Sequence, residues 1–136
     1  MPETIKTHAT GRIEVVSYEP KPYDEDSDGP DLLEIHVRER FVGDIEGEGV
    51  ARFLQAQRQD GSASFVGIER VSGRVGDRQG TFLLQDAGTL AGKTVTGEWF
   101  VIPGSGTGGL QGLRGDGGFT AELGQNASIT LDYWFE

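Results

Sequence analysis

Apolar and polar residues alternate with period two along nearly the whole chain, and no stretch shows the 3.6-residue recurrence of a helix. The first alternating run covers Thr7 to Tyr18, with Ile13 and Val15 on one face and Arg12 and Glu14 on the other. An acidic, Pro-containing connection follows from Glu19 to Asp31. Leu32 to Val42 is the second run. Leu33, Ile35, Val37, Glu39 and Phe41 share one of its faces; Glu34, His36, Arg38 and Arg40 share the other. Gly43 to Gly49 reads as a tight turn or bulge, and Val50 to Arg58 as a strand. Asp60-Gly61 signals a hairpin into Ala63–Val71, with a short continuation to Val75. Turns at 76–80 and 88–92 bracket Thr81–Ala87, and a further run covers Thr94–Ile102. Phe119–Leu123 and Ala127–Phe135 complete eight or nine strands at hairpin spacing, the pattern of an all-β antiparallel barrel or sandwich. Few edges carry Pro or Lys, which favours closure into a barrel.

The stretch from Pro103 to Phe119 is the densest in glycine and predicts a compact turn at a sheet corner. Its Gly104-Ser105-Gly106…Leu110-Gln111-Gly112-Leu113 spacing resembles the signature of the allene oxide cyclase and dirigent barrels. Within that group the chain is most similar to a bacterial family labelled domain of unknown function 3224. The matching segments are Phe41–Gly49, Ser64–Val71, Phe82–Gln85, Gly97-Glu98-Trp99 and the glycine stretch itself. The resemblance implies a single eight-stranded antiparallel, calycin-like barrel spanning residues 1–136, with a small apolar molecule inside. It also implies that Glu19 and Pro22 occupy a stretch comparable to one that positions substrate in the cyclases. The chain has Arg38 near the cyclase Asn, no Cys, and Asp86 where the bacterial family usually carries a His.

Composition narrows the chemistry. With 22 glycines in 136 residues, a helical bundle is disfavoured, since each helical Gly costs about 1 kcal/mol. The absence of Cys removes disulfides, thiolate nucleophiles and thiolate metal sites. A net charge of −10 repels polyanions, so neither nucleic acid nor an anionic membrane is an expected partner. Met1 to Lys6 lacks the apolar core of a secretion signal, and no run approaches about 20 apolar residues, so the reading is cytoplasmic.

Short motifs add little. Gly104-x-Gly106-x-x-Gly109 is not followed by a helix, as a dinucleotide site requires. Gly88…Gly92-Lys93-Thr94 lies between strands and is one residue short of a phosphate loop. Asp24, Asp26, Asp28 and Gly29 imitate half a calcium loop, but Ile35 stands where the closing Glu belongs, so a metal-free acidic loop is expected. His8 and His36 are too distant to form a zinc site. No cofactor and no metal are expected.

Acids on apolar faces carry more information. Glu39 alternates with Val37 and Phe41, Glu69 with Phe65, Gly67 and Val71, and Asp86 with Phe82 and Leu84. Facing a barrel interior, these carboxyls lose hydration, and their pKa values rise toward neutrality. Glu69 and Glu39 are then the candidate acid–base residues. Trp99, Tyr133, Asp86, Phe41 and Phe65 are the candidate ligand wall, with Trp99 and Tyr133 adding polar handles. Gly67 leaves room for a pocket beside Glu69. A second environment is open to each acid: a strand end near water, or an ion pair with Arg52 or Arg70. Three functions follow. The first is a barrel that binds an apolar, partly oxygenated metabolite and steers an isomerisation or cyclisation. The second is a carrier with the same pocket. The third is a filled barrel whose outward Val66 and Ile68 join copies into a homo-oligomer.

Overall fold

The computed structural model describes residues 5–25 and 28–136. Asp26 of the acidic loop, and Met1 to Thr4, lie outside the described residues. Eight strands occur among the described residues: β1 (Thr7–Asp24), β2 (Asp31–Gly43), β3 (Ile45–Gln57), β4 (Ala63–Val75), β5 (Arg78–Ala91), β6 (Thr94–Val101), β7 (Leu113–Glu122) and β8 (Ala127–Phe135). Each pairs antiparallel with its sequence neighbour, and β8 returns to β1, which closes the barrel. The only helix among the described residues is one 3-10 turn, Gly108–Leu110.

Several expected boundaries move. β1 continues through Pro20 and Pro22 to Asp24, where a connection was expected. It can do so because β8 pairs with β1 only as far as Ile13. Beyond that point β1 has β2 alone as partner, and a proline on the free edge forfeits no ladder hydrogen bond. A bulge at Val16 shifts the register between Val15 and Ser17. Inward positions therefore change from odd numbers to even: Val15 lies opposite Glu39, whereas Tyr18 lies opposite Val37.

Three glycine-rich segments expected as turns are mostly strand. Asp44 alone separates β2 from β3, and β5 runs from Arg78 to Ala91 without a break. The glycines serve close backbone approach instead. Gly47 faces Gly73, which faces Gly80, and a Cβ on Gly73 would collide with the backbone of Glu46 and Gly47. Such pairs let the sheet bend sharply where the barrel turns a corner.

One end of the barrel is plugged. β6 ends at Val101, opposite Leu84, and the loop that follows runs along the first half of β5. Ile102 N donates to Leu83 O (2.9 Å), Leu83 N to Ser105 Oγ (3.1 Å), and Thr107 N to Thr81 O (2.9 Å). The positive φ of Gly104, Gly108 and Gly112 turns this loop inward. It delivers Leu110, fully buried, into a core with Ile45, Val75, Phe82 and Leu113. The expected corner turn thus covers only the first half of the glycine stretch; from Leu113 onward it is strand β7.

Candidate functional site

Above the plug the barrel is hollow. A cavity of about 560 Å³ opens at the end that carries the β3–β4, β5–β6 and β7–β8 turns. Its walls are mostly apolar, including Ile35, Val37, Leu90 and Val95. Asp86 and Glu39 are among its lining residues, beside Trp99.

The aromatic wall is built on glycines. Phe53 lies opposite Gly67, Phe65 opposite Gly88, and Phe119 opposite Gly97. In each case a Cβ on the glycine would strike the facing ring. The inward glycines are therefore seats over which phenyl rings lie flat, a cross-strand pairing that stabilises glycine in sheets. The rings touch in series: Phe53–Phe65 centroids are 5.5 Å apart, Phe65–Phe119 6.2 Å, Phe119–Trp99 5.0 Å and Trp99–Phe41 6.2 Å. Trp99 lies opposite Gly117, and its Nε1–H donates to Thr130 O at 2.9 Å. Its polar handle is thus already used.

Glu39, Glu69 and Asp86 come together as the alternation predicts, but at different depths. Asp86 is 2% exposed and Glu69 0%. Glu39 is partly exposed and faces the cavity with Asp86, while Glu69 is not on the cavity wall. It lies behind, in a space left by Gly49, where a Cβ would meet both Glu69 Oε2 and the Phe41 ring. Gly67, expected to open room for a ligand, is covered by Phe53.

No N–H or hydroxyl among the described residues donates to Glu69 Oε1, Glu69 Oε2 or Asp86 Oδ1. Glu69 has another acid as its neighbour. The nearby Glu39 carboxyl raises the Glu69 pKa, and Glu69 acts to lower that of Glu39, so Glu69 is the more readily protonated of the two. Burial is the main force on all three acids. It raises Glu39, and with the negative charges of Glu39 and Asp86 it lifts Glu69 well above the usual carboxylate range. Burial, aided by the Glu39 charge, pushes Asp86 up to about 8. Arg52 and Arg70, considered as partners, are exposed on the outer face, with Arg52 at 3.7 Å from Glu34.

Other candidates lie elsewhere. Phe65 lines the cavity; Phe41 is fully buried beneath Trp99 and Glu69. Tyr133 is far from the acids. It packs on Phe135 near the β4–β5 turn, with its hydroxyl beside Gly76 at the plugged end. Glu19 and Pro22 are exposed on the free half of β1. His8 and His36 pair with Asp132 and Glu34 away from the cavity. Val66 and Ile68 are exposed on the outer face, with Leu54 opposite Val66. Sequence reasoning missed Phe53 and Phe119 as wall residues. The signal for them was glycine at inward, mid-strand positions, which demands a large facing side chain.

Comparison with known proteins places this barrel. The family described as protein of unknown function (DUF3224) matches residues 9–133. A crystal structure of a protein with unknown function from the DUF3224 family of Shewanella oneidensis MR-1 is similar at 30% identity. The alignment covers 97% of this chain and 99% of that one, with a TM-score of 0.82. A search of curated proteins gives no match.

Proposed function

The chain belongs to the DUF3224 family, and we propose that its barrel takes up a small, largely apolar molecule through the open end and holds that molecule's one polar end against Asp86 and Glu39. The carrying observation is Asp86, which has a buried oxygen without a partner, beside Glu39 on the wall of a mostly apolar cavity of about 560 Å³. A volume above roughly 300 Å³ is that of a small-ligand site rather than a packing defect. An unpartnered carboxyl oxygen costs free energy that a ligand recovers by supplying the missing hydrogen bond.

Nile red, a neutral apolar dye, tests the reading. Its fluorescence should rise saturably at one site per chain. Ala121→Trp, which fills the cavity from β7, should weaken binding at least about tenfold, or about 1.4 kcal/mol. Dye binding unchanged by that variant overturns the interior site. Native mass spectrometry of the purified protein should show a co-purifying mass that the same variant lacks.

A second reading, isomerisation or cyclisation by acid–base catalysis, is favoured by the opposite effects that the neighbours Glu39 and Glu69 have on each other's proton affinity. Ionised Glu39 removes a proton from one atom of the ligand, and neutral Asp86 donates one to another. The ligand's proton count is unchanged, and solvent exchange resets the two acids. Glu69 does not touch the ligand in this scheme; it sets the proton affinity of Glu39. Glu39→Gln should then retain dye binding and abolish solvent-deuterium incorporation into the co-purifying molecule. Incorporation at the wild-type rate reduces the protein to a carrier.

A further inference from the structure

We propose that the polar end held by Asp86 and Glu39 is a cation, the ammonium group of an alkyl or arylalkyl amine. This rests on the binding reading above and adds the chemical class of the ligand.

The inventory of the cavity floor carries the inference. The charged-capable groups that line it are all acids, and the N–H beside them, Trp99 Nε1, is spent on Thr130 O; the neutral donors of the lining, Tyr18, Gln55, Gln125 and Asn126, carry no positive charge. Three carboxyl oxygens of Glu69 and Asp86 lack an N–H or hydroxyl donor. Asp86, 2% exposed, is one of the residues that line the cavity. An ionised ligand acid would meet only like charge. A carbonyl oxygen would find a donor on a protonated acid or on a neutral side chain such as Gln55, but would leave the acids without a counter-charge. An ammonium brings three donors and the positive charge that this interior lacks.

The surroundings fit the same ligand. Trp99, Phe119, Phe65 and Phe53 form a continuous series of rings beside the acids. Aromatic faces attract cations, the more so out of water. The chain's net charge of −10 draws cations toward it from solution.

Protons compete with the amine for this site. The groups facing Asp86 are Glu39 from β2 and Glu69 from β4; β3 and β6 present Gly49, Ala51 and Trp99, which do not titrate. Arg38, Arg40, Arg52, Arg70 and Glu98 are exposed, and Glu122 at the mouth accepts from Thr94 Oγ1. With Asp86 protonated up to about pH 8, entry of an ammonium expels a proton to solvent. An amine that stays charged should therefore bind more tightly as pH rises from 6 to 8, by about tenfold per unit for each proton displaced.

The experiment compares three probes of one shape by calorimetry: 4-phenylbutan-1-amine, 4-phenylbutan-1-ol and 4-phenylbutanoate. The amine should bind at least about tenfold tighter than the alcohol at pH 7, and the carboxylate weakest. Its affinity should climb with pH while that of the alcohol stays flat. The Asp86→Asn/Glu39→Gln double variant should lose the preference for amine and keep the alcohol. An alcohol that binds as well as the amine, or a preference that survives the double variant, overturns the cation and leaves interior binding standing. Failure of all three probes, together with Nile red, overturns both.

Discussion

Asp86 should make the protein less stable as pH rises, the reverse of an ordinary paired carboxylate. An unfolded-state aspartate titrates near 3.8, whereas burial and the Glu39 charge push the folded-state value up to about 8. Below pH 3.8 both states hold the proton. Between 3.8 and 8 the folded state binds more protons than the unfolded state, so each increment of pH favours unfolding. Above 8 both have lost it, and the loss of stability is complete. At about 1.36 kcal/mol per pH unit, the interval from 3.8 to 7 amounts to about 4 kcal/mol. Asp86→Asn removes this dependence, because an amide does not titrate. The assay is urea unfolding of wild type and variant at half-unit steps from pH 4 to 8, followed by tryptophan fluorescence. Subtracting one curve from the other cancels the surface acids common to both. The variant should gain on wild type by about 4 kcal/mol between pH 4 and 7, or roughly 12 °C in melting temperature. A difference that stays constant with pH, or shrinks as pH rises, would refute the burial argument for Asp86.

Further outcomes are expected for the frame that holds the acids. Leu110→Ala should cost about 2–5 kcal/mol in denaturant unfolding, because the plug fills a fully buried position; a loss under 0.5 kcal/mol would mean that the loop does not seal the barrel. Gly67→Ala should destabilise by about 1–3 kcal/mol, since its Cβ meets the Arg52 carbonyl as well as the Phe53 ring. At Gly97 the three atoms nearest an added Cβ all belong to the Phe119 ring, a side chain that can swing inward. Gly97→Ala should lose less stability than Gly67→Ala and more Nile red affinity, and the opposite ranking would refute the account of glycines as aromatic seats. Trp99→Phe should cost about 1 kcal/mol through the hydrogen bond to Thr130 O, with little change in dye binding.

Much of this was legible from alternation. Period two put Glu39, Glu69 and Asp86 on inward faces, and the hairpin spacing gave a closed antiparallel barrel. Alternation reports the face of a strand and not the height along the barrel axis. Height depends on register and strand tilt, which is why Tyr133, correctly inward, lies at the plugged end and not beside Trp99. The same limit hid the depth difference between Glu69 and Glu39. Glycine was over-read as punctuation. At 43–49, 76–80 and 88–92 most glycines are inside strands, because a missing Cβ serves a facing ring or backbone as readily as a turn. The Val16 bulge left no local mark, since an extra residue in one strand shows only against its partner.

Among the described residues, the loop after β6 plugs one end of the barrel and the cavity opens at the other. Whatever enters past the β7–β8 turn leaves by the same route, and a resident molecule stands between the floor and any later arrival. Two reactants cannot approach from opposite ends. The one whose head reaches Asp86 must go in first and come out last, so any two-substrate kinetics would be compulsorily ordered. A product that keeps its precursor's shape would also obstruct the next turnover. On the function proposed above, a cavity plugged at one end would suit the rearrangement of one captive molecule, or its safe keeping, better than the joining of two.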